Sequence, residues 1–165
     1  MGKSDGSYIY LADRPDLIPV LASWFFEEWG WRNPGLTQEI IEDKLQGRLN
    51  RDLAPLVLIR ILSDRPIASA SIKINEMETH PKYLHWLGSV YVLPEFRGLG
   101  IGTELIRCAI DEARRIDVVE LYLYTRDKEI FYSKLGWHAV EDTMYHSRRA
   151  TIMKQTLSVE ERKNQ

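Results

Sequence analysis

The chain has 165 residues, with 22 lysines and arginines against 24 aspartates and glutamates, which gives a formal net charge of -2. That length suits one compact domain, and the nearly balanced charge offers no basic surface for nucleic acid or an anionic membrane, so small molecules or proteins are the expected partners. The one cysteine, Cys108, cannot form an internal disulfide. Because neither a signal peptide nor a membrane-spanning apolar run is visible, we expect a cytoplasmic protein.

The N-terminal half alternates predicted strands and helices. It contains a strand over 7–11, a helix from Pro15 to Glu28, a helix capped by Thr37, and strands over 56–62 and 67–75 that form a hairpin. The apolar face predicted for the second helix is Ile40, Ile41, Leu45 and Leu49. In the second strand of the hairpin, Ser69 and Ser71 alternate with apolar residues, a period typical of β structure.

The C-terminal half begins with a strand over 85–92, which Pro94 ends. A helix over 101–116 separates it from a strand over 118–124, an order that produces a parallel pair with a right-handed crossover. A short helix over 127–135, closed by Gly136, precedes strands over 137–144 and 149–157. We therefore expect one mixed α/β domain over 7–157, with flexible tails at 1–6 and 158–165.

Glycines stand at every second position between the strand over 85–92 and the following helix. Gly98, Gly100 and Gly102 allow the backbone to approach a ligand closely, and amides at a helix N-terminus bind phosphate. Arg97 adds a permanent positive charge beside them. The turn is therefore predicted to bind an anion.

Two other nucleotide-binding patterns fit this turn less well. A phosphate loop of the Walker type needs Lys after its last glycine, whereas Gly102-Thr103 is followed by Glu104, which would repel phosphate. A dinucleotide fingerprint needs glycine at Thr103 and an acidic residue at the far end of the next strand, but Glu120 lies near its start. A dinucleotide-dependent oxidoreductase is therefore disfavoured.

The turn resembles the central motif of the GCN5-related N-acetyltransferase (GNAT) superfamily, in which Arg or Gln is followed by two residues, Gly, one residue, and Gly or Ala. Arg97, Gly100 and Gly102 fill this motif, and the strand residues 90–96 before it also match. Downstream, residues 131–137 are similar to the second cofactor motif of the family. The resemblance implies a mostly antiparallel sheet of about seven strands, about four flanking helices, and one parallel strand-helix-strand unit at the cofactor site.

The resemblance further implies that acetyl-CoA is the co-substrate. The residues expected to bind it are Val90, Tyr91, Val92, Arg97, Gly98, Leu99, Gly100, Ile101, Gly102, Thr103, Thr125 and Tyr132. Thr125 stands where many family members have asparagine, and the short Thr-Arg-Asp segment before Phe131-Tyr132 is similar to one branch of the family. Thr125 either replaces the asparagine's contact with the cofactor or leaves that contact unmade.

Acetyl transfer to an amine needs a proton acceptor, a stabilised oxyanion and a proton for the thiolate. The resemblance implies that the backbone of Tyr91 and Val92 supports the oxyanion and that Tyr132 is the general acid, with plain packing as the alternative role of this tyrosine. The candidates for the base are Glu28 and Glu78, and further candidates are Glu76, His80 and an ordered water. The four histidines show no metal-ligand spacing, so we expect no metal.

The acceptor is expected to be a small-molecule amine or a polypeptide N-terminus that attacks the thioester directly in a ternary complex. Trp29 and Trp31 beside helix breakers, with Glu28 and Glu78, are the residues predicted to bind it, since aromatic rings and carboxylates favour a cation. The alternative is a non-catalytic module of the same fold that binds or senses acyl-CoA. Either a monomer or a homodimer is compatible with the sequence.

Overall fold

The structure, a computed structural model, describes residues 6–157. The tails expected at 1–6 and 158–165 lie outside these residues, apart from Gly6. The strands in this range are β1 (Gly6–Tyr10), β2 (Leu56–Leu62), β3 (Arg65–Ile74), β4 (His85–Val92), β5 (Glu120–Thr125), β6 (His138–Tyr145) and β7 (Arg148–Thr156). The α-helices are α1 (Ile18–Trp29), α2 (Gln38–Gln46), α3 (Ile101–Arg115) and α4 (Glu129–Lys134).

The strands form one open sheet in the order β1-β2-β3-β4-β5-β7-β6. Every neighbouring pair is antiparallel except β4 and β5, which are parallel and are connected through α3. The predicted fold class, a mixed and mostly antiparallel sheet with one parallel strand-helix-strand unit, is therefore confirmed.

Helices cover both faces of the sheet. In β2, Leu58 belongs to the core that α3 covers, whereas Val57 and Ile59 belong to the core that α1 and α2 cover. Because successive side chains of a strand point to opposite faces, the two helical layers lie on opposite sides. None of the helices within residues 6–157 is long and apolar enough to cross a membrane.

The details of α2 and β3 differ in part from the predicted patterns. The Thr37 hydroxyl accepts a hydrogen bond from the Ile40 amide at 3.1 Å, which confirms the predicted cap. Ile40 itself is 40% exposed and Leu49 lies beyond the end of α2, so the buried face of this helix is Ile41 and Leu45. In β3, Ser69 and Ser71 are as buried as their apolar neighbours, because this central strand has a helical layer on each face.

Candidate functional site

A cleft opens where β4 and β5 diverge. Their pairing is registered at Trp86 and Tyr122, near the start of both strands. Farther along β4, Ser89 adopts a left-handed φ of 49°, and the register with β3 shifts between Ser69 and Ser71. These irregularities bend β4 away from β5 and leave a cleft of about 530 Å³ between the strand ends.

The cleft is lined by the ends of the central strands, the loop after α1, and the β6–β7 hairpin. Its walls are Trp29, Arg32, Asn33, Leu36, Lys73, Glu76, Leu87, Gly88, Ser89, Val90, Leu123, Tyr124, Thr125, Arg126, Asp127, Tyr132, Tyr145, His146 and Arg148. Of the residues predicted to bind the cofactor, Val90, Thr125 and Tyr132 therefore line it.

The glycine turn leads directly into α3. Gly98 and Gly100 have left-handed φ values of 78° and 82°, and a Cβ atom built on either would meet nothing within 4 Å. Leu99 between them is 69% exposed. The turn therefore presents open backbone at the positive end of a 15-residue helix, as anion binding requires.

Arg97 holds the turn against the end of β4. Its Nε donates a hydrogen bond to the carbonyl of Val92 at 2.8 Å, and its Nη2 lies 3.7 Å from Glu28 Oε2. Its guanidinium also lies 5.4 Å from the ring centroid of Tyr91, whose side chain stacks on Trp24 in the core. Arg97 thus connects the glycine turn to α1. The Tyr91 side chain packs between Arg97 and the core.

Thr125 precedes α4 and Tyr132 lies within it, and both line the cleft. The Thr125 hydroxyl accepts a hydrogen bond from the Lys128 amide at 3.0 Å, which orders the segment before the helix. Tyr132 is half-buried, with its ring edge-on to Trp137 at 6.2 Å. Burial raises the pKa of the Tyr132 phenol, and the Asp127 carboxylate adds to the increase. The phenol therefore stays protonated near neutral pH.

The carboxylates named as base candidates lie in different places. Glu28 is exposed beside Arg97, and Glu78 is exposed on the loop after β3; neither lines the cleft. His80 also lies outside the lining, with its Nε2 2.9 Å from Glu141 Oε1. Glu76 is the one of these candidates that lines the cleft.

Glu76 forms a shielded ion pair with Lys73. Lys73 Nζ lies 3.1 Å from Glu76 Oε1, and their side chains are 12% and 20% exposed. Burial lowers the pKa of Lys73, while the charge of Glu76 opposes this change. Lys73 is not among the residues predicted from the sequence; its only signal is that it is the one charged residue in the strand predicted over 67–75.

Two tyrosines adjoin this pair. The Tyr145 hydroxyl donates a hydrogen bond to the Glu76 carbonyl at 3.1 Å, and its ring packs edge-on against Tyr124 at 5.2 Å. Burial raises the pKa of Tyr124 to about 12, and the Glu76 charge contributes to the increase. Burial likewise raises the pKa of Tyr145, so both phenols remain neutral hydrogen-bonding groups near Glu76.

The two tryptophans predicted to bind the acceptor amine lie in different places, as the carboxylates do. Trp29 lines the cleft and packs against Phe25 at 5.4 Å between ring centroids. Trp31 is 73% exposed outside the lining, and the guanidinium of Arg32 lies 4.9 Å from its ring centroid. Within residues 6–157, no group of three or more His, Cys, Asp or Glu side chains is arranged to hold a metal ion.

Several solved acetyltransferase structures have a fold similar to that of this chain. An aminoglycoside 6'-N-acetyltransferase complexed with coenzyme A is 14% identical, with 92% of this chain and 96% of that chain covered and a TM-score of 0.71. The protein yncA, a putative acetyltransferase from Salmonella typhimurium with acetyl-CoA, is 17% identical over 93% of this chain and 95% of that chain, with a TM-score of 0.73. A GNAT-family acetyltransferase from Streptococcus pneumoniae gives a TM-score of 0.70 at 14% identity, covering 93% of this chain and 100% of that chain. At these identities the likeness concerns the fold.

No curated protein sequence matches the chain. A family model does match it, over residues 18–137, and that model is described as the acetyltransferase (GNAT) family. The matched segment includes α1, the glycine turn, the divergence of β4 from β5, and Tyr132. The chain therefore belongs to the acetyltransferase (GNAT) family.

Proposed function

We propose that the protein is an N-acetyltransferase that moves an acetyl group from acetyl-CoA to a primary amine of a small molecule or a polypeptide N-terminus. The observation that carries this proposal is that the cleft where β4 and β5 part reaches Val90, near the end of β4, and that the open glycine turn follows the same end of β4 and begins α3. One extended cofactor could place its thioester in the cleft and its pyrophosphate at the turn. Two structurally similar proteins hold coenzyme A or acetyl-CoA.

In this proposal the pyrophosphate accepts hydrogen bonds from the backbone amides of residues 98–103. The dipole of α3 and the guanidinium of Arg97 stabilise its charge. Pantetheine follows β4 from Val92 to Val90, where unpaired backbone groups of the diverging strand can bind its amides. Thr125 and Tyr132 form the opposite wall.

The reaction is a direct displacement. The acceptor amine gives up a proton to Glu76, and its nitrogen lone pair forms a bond to the thioester carbon. Backbone N–H groups of residues 90–92 stabilise the oxyanion, the carbon–sulfur bond breaks, and the departing thiolate takes the proton of Tyr132. Acetylated amine and coenzyme A leave, and the proton that Glu76 took returns through solvent to the Tyr132 phenolate, which restores both groups. Lys73 holds the Glu76 carboxylate toward the cleft through their 3.1 Å ion pair.

The test combines calorimetric titration of acetyl-CoA with measurement of coenzyme A release across a panel of primary amines. We expect binding together with amine-dependent release. Binding without release for any amine would favour the acyl-CoA sensing module, and absence of binding would refute the proposal.

The base is identified by comparing Glu76→Gln, Glu28→Gln and Glu78→Gln. These variants remove one carboxylate each and keep its shape. Loss of a general base costs about 100-fold or more in turnover, and we expect that loss in Glu76→Gln. A larger loss in either of the other two variants would transfer the role to that glutamate.

A further inference from the structure

We propose that the acceptor amine carries a negatively charged group of its own, a carboxylate or a phosphate, which Arg32, Arg126 and Arg148 bind while Glu76 receives the amine. The inference rests on the proposed function and narrows the class of acceptor at the same site. It would explain a surplus of positive charge on one side of the cleft.

The acceptor side of the cleft follows from strand alternation. Ile72 and Leu123 point into the core beneath α3, so the next residues along their strands, Lys73 and Tyr124, point to the opposite face. That face carries α1, and Arg32 extends to it from the loop after this helix. The glycine turn begins α3, so the cofactor approaches from the other face.

The charges on the acceptor side do not balance. Four cationic side chains line it, from Arg32, Lys73, Arg126 and Arg148, and Glu76 is the carboxylate that faces them. The Lys73–Glu76 ion pair is neutral as a unit. The other carboxylate of the lining, Asp127, acts on Tyr132 at the cofactor side. Three guanidinium groups therefore remain around the acceptor position.

Contacts within the protein hold two of these guanidinium groups, those of Arg32 and Arg126, without neutralising them. Arg126 donates hydrogen bonds to the backbone carbonyls of Tyr145 at 3.1 Å and Arg149 at 3.3 Å, while Arg32 lies against the ring of Trp31. Within residues 6–157, no carboxylate forms an ion pair with Arg32, Arg126 or Arg148. A guanidinium has five N–H donors, so hydrogen-bonding capacity is left for an anion.

Arg32 and Arg126 both lie near one phenol. The Arg126 guanidinium carbon is 5.8 Å from the ring centroid of Tyr124, and both arginines act electrostatically on the hydroxyl of this tyrosine. Tyr124 in turn adjoins Tyr145, whose hydroxyl contacts the Glu76 backbone. Tyr124 and Tyr145 therefore connect the neighbourhood of Arg32 and Arg126 with that of Glu76, so one small acceptor could reach both with its anionic group and its amine.

The test uses acceptors in matched pairs. Each common amino acid is compared with its carboxamide, which keeps the amine and removes the carboxylate. Phosphoethanolamine tests for phosphate, and spermidine and kanamycin test for polycations. Coenzyme A release gives kcat and KM, and calorimetry gives the Kd of acetyl-CoA. Arg32→Gln and Arg148→Gln are the variants. Arg149→Gln is the matched control, because this adjacent side chain is exposed, pairs with Asp142 at 2.7 Å and does not line the cleft.

We expect an anionic acceptor to exceed its neutral partner in kcat/KM by about tenfold or more, as one lost charge-assisted contact implies. Arg32→Gln and Arg148→Gln should remove that preference by raising KM, with the Kd of acetyl-CoA unchanged and Arg149→Gln behaving as wild type. Phosphoethanolamine preferred over the amino acids would identify phosphate as the anion.

The inference fails alone if acetyl-CoA binds but polycations or carboxamides react best, or if no anionic amine reacts. It also fails if the two arginine variants weaken acetyl-CoA instead of the acceptor, because the charges would then belong to the cofactor site. Absence of acetyl-CoA binding in the wild type would refute the proposed function, and the inference with it.

Discussion

Lys73 lies across Gly88 on the neighbouring strand, so closely that a Cβ atom on Gly88 would be 3.0 Å from Lys73 Cε and 3.1 Å from Nζ. The absence of a side chain at Gly88 makes room for a largely buried ammonium group at the wall of the cleft. That ammonium in turn fixes the carboxylate of Glu76. Gly88, which has no side chain, thus determines the position of the charged Lys73 side chain.

Gly88→Ala should displace Lys73 from Glu76. The clash involves the far end of a flexible side chain, so the fold should persist while the ion pair is lost. We expect kcat/KM for the acceptor to fall by about 10 to 100-fold, since a misplacement of about 1 Å can cost about 100-fold, with acetyl-CoA affinity retained. The control is Gly47→Ala, at an ordinary φ of -78° at the end of α2. Wild-type kinetics in Gly88→Ala would contradict the role of the ion pair.

Gly100→Val should abolish acetyl-CoA binding, because a branched side chain would stand where the backbone must approach the pyrophosphate. Gly35→Val is its matched control. Gly35 has a φ of 91° and Gly100 one of 82°, and neither has an atom within 4 Å of the added Cβ. Both variants therefore bear similar backbone strain. Calorimetry should detect binding only in Gly35→Val, and equal affinities would exclude the turn as the phosphate site.

Tyr132→Phe should reduce kcat by about 10 to 100-fold and leave the Kd of acetyl-CoA nearly unchanged, because it removes a proton donor and keeps the packed ring. Burial raises the pKa of Tyr132, so its phenol is protonated below that value. Wild-type kcat should consequently show no loss from this group between about pH 7 and 9, below the ordinary tyrosine pKa. Unchanged turnover in the variant would reduce Tyr132 to a packing residue.

Asp142→Asn should lower the free energy of unfolding at neutral pH, because it weakens the β6–β7 hairpin, but should have little effect at acidic pH. Arg149 at 2.7 Å and the Thr151 hydroxyl at 2.9 Å both donate to the Asp142 carboxylate and lower its pKa. A lowered pKa stabilises the folded state above the unfolded value, near 4, and the benefit disappears as pH falls through the folded value. Urea unfolding at pH 6 should give a slightly lower free energy of unfolding for Asp142→Asn than for the wild type, and this difference should shrink as the pH falls below about 4, the unfolded-state pKa of aspartate. A difference independent of pH would contradict this account.

The sequence predicted most elements and the glycine turn because those signals are local. Apolar residues at helical spacing in α3, the Thr37 cap, and the glycines around Leu99 each depend on residues close together in the chain. The family resemblance, confirmed by the model matched over 18–137, rested on such segments.

The Lys73–Glu76 ion pair and the arginine group could not be predicted in that way. Lys73 is recognisable as buried only when β4 is beside it, and Arg148 reaches the cleft only because β7 pairs with β5. The exposure of Trp31 depends on how the loop after α1 leaves the core. Such placements follow from contacts between distant segments, which a local pattern does not contain.

The sheet consists of two antiparallel blocks, β1–β4 and β5–β7. Their registered pairing is at Trp86 and Tyr122, and a gap runs along most of the rest of the border between β4 and β5. Unpaired backbone N–H and C=O groups of β4 and β5 can form hydrogen bonds with a ligand that lies between them in the place of a strand. An occupant would brace the two blocks against each other, and amide hydrogens along the border should then exchange with solvent more slowly. A bound ligand would therefore contribute to the stability of the folded sheet.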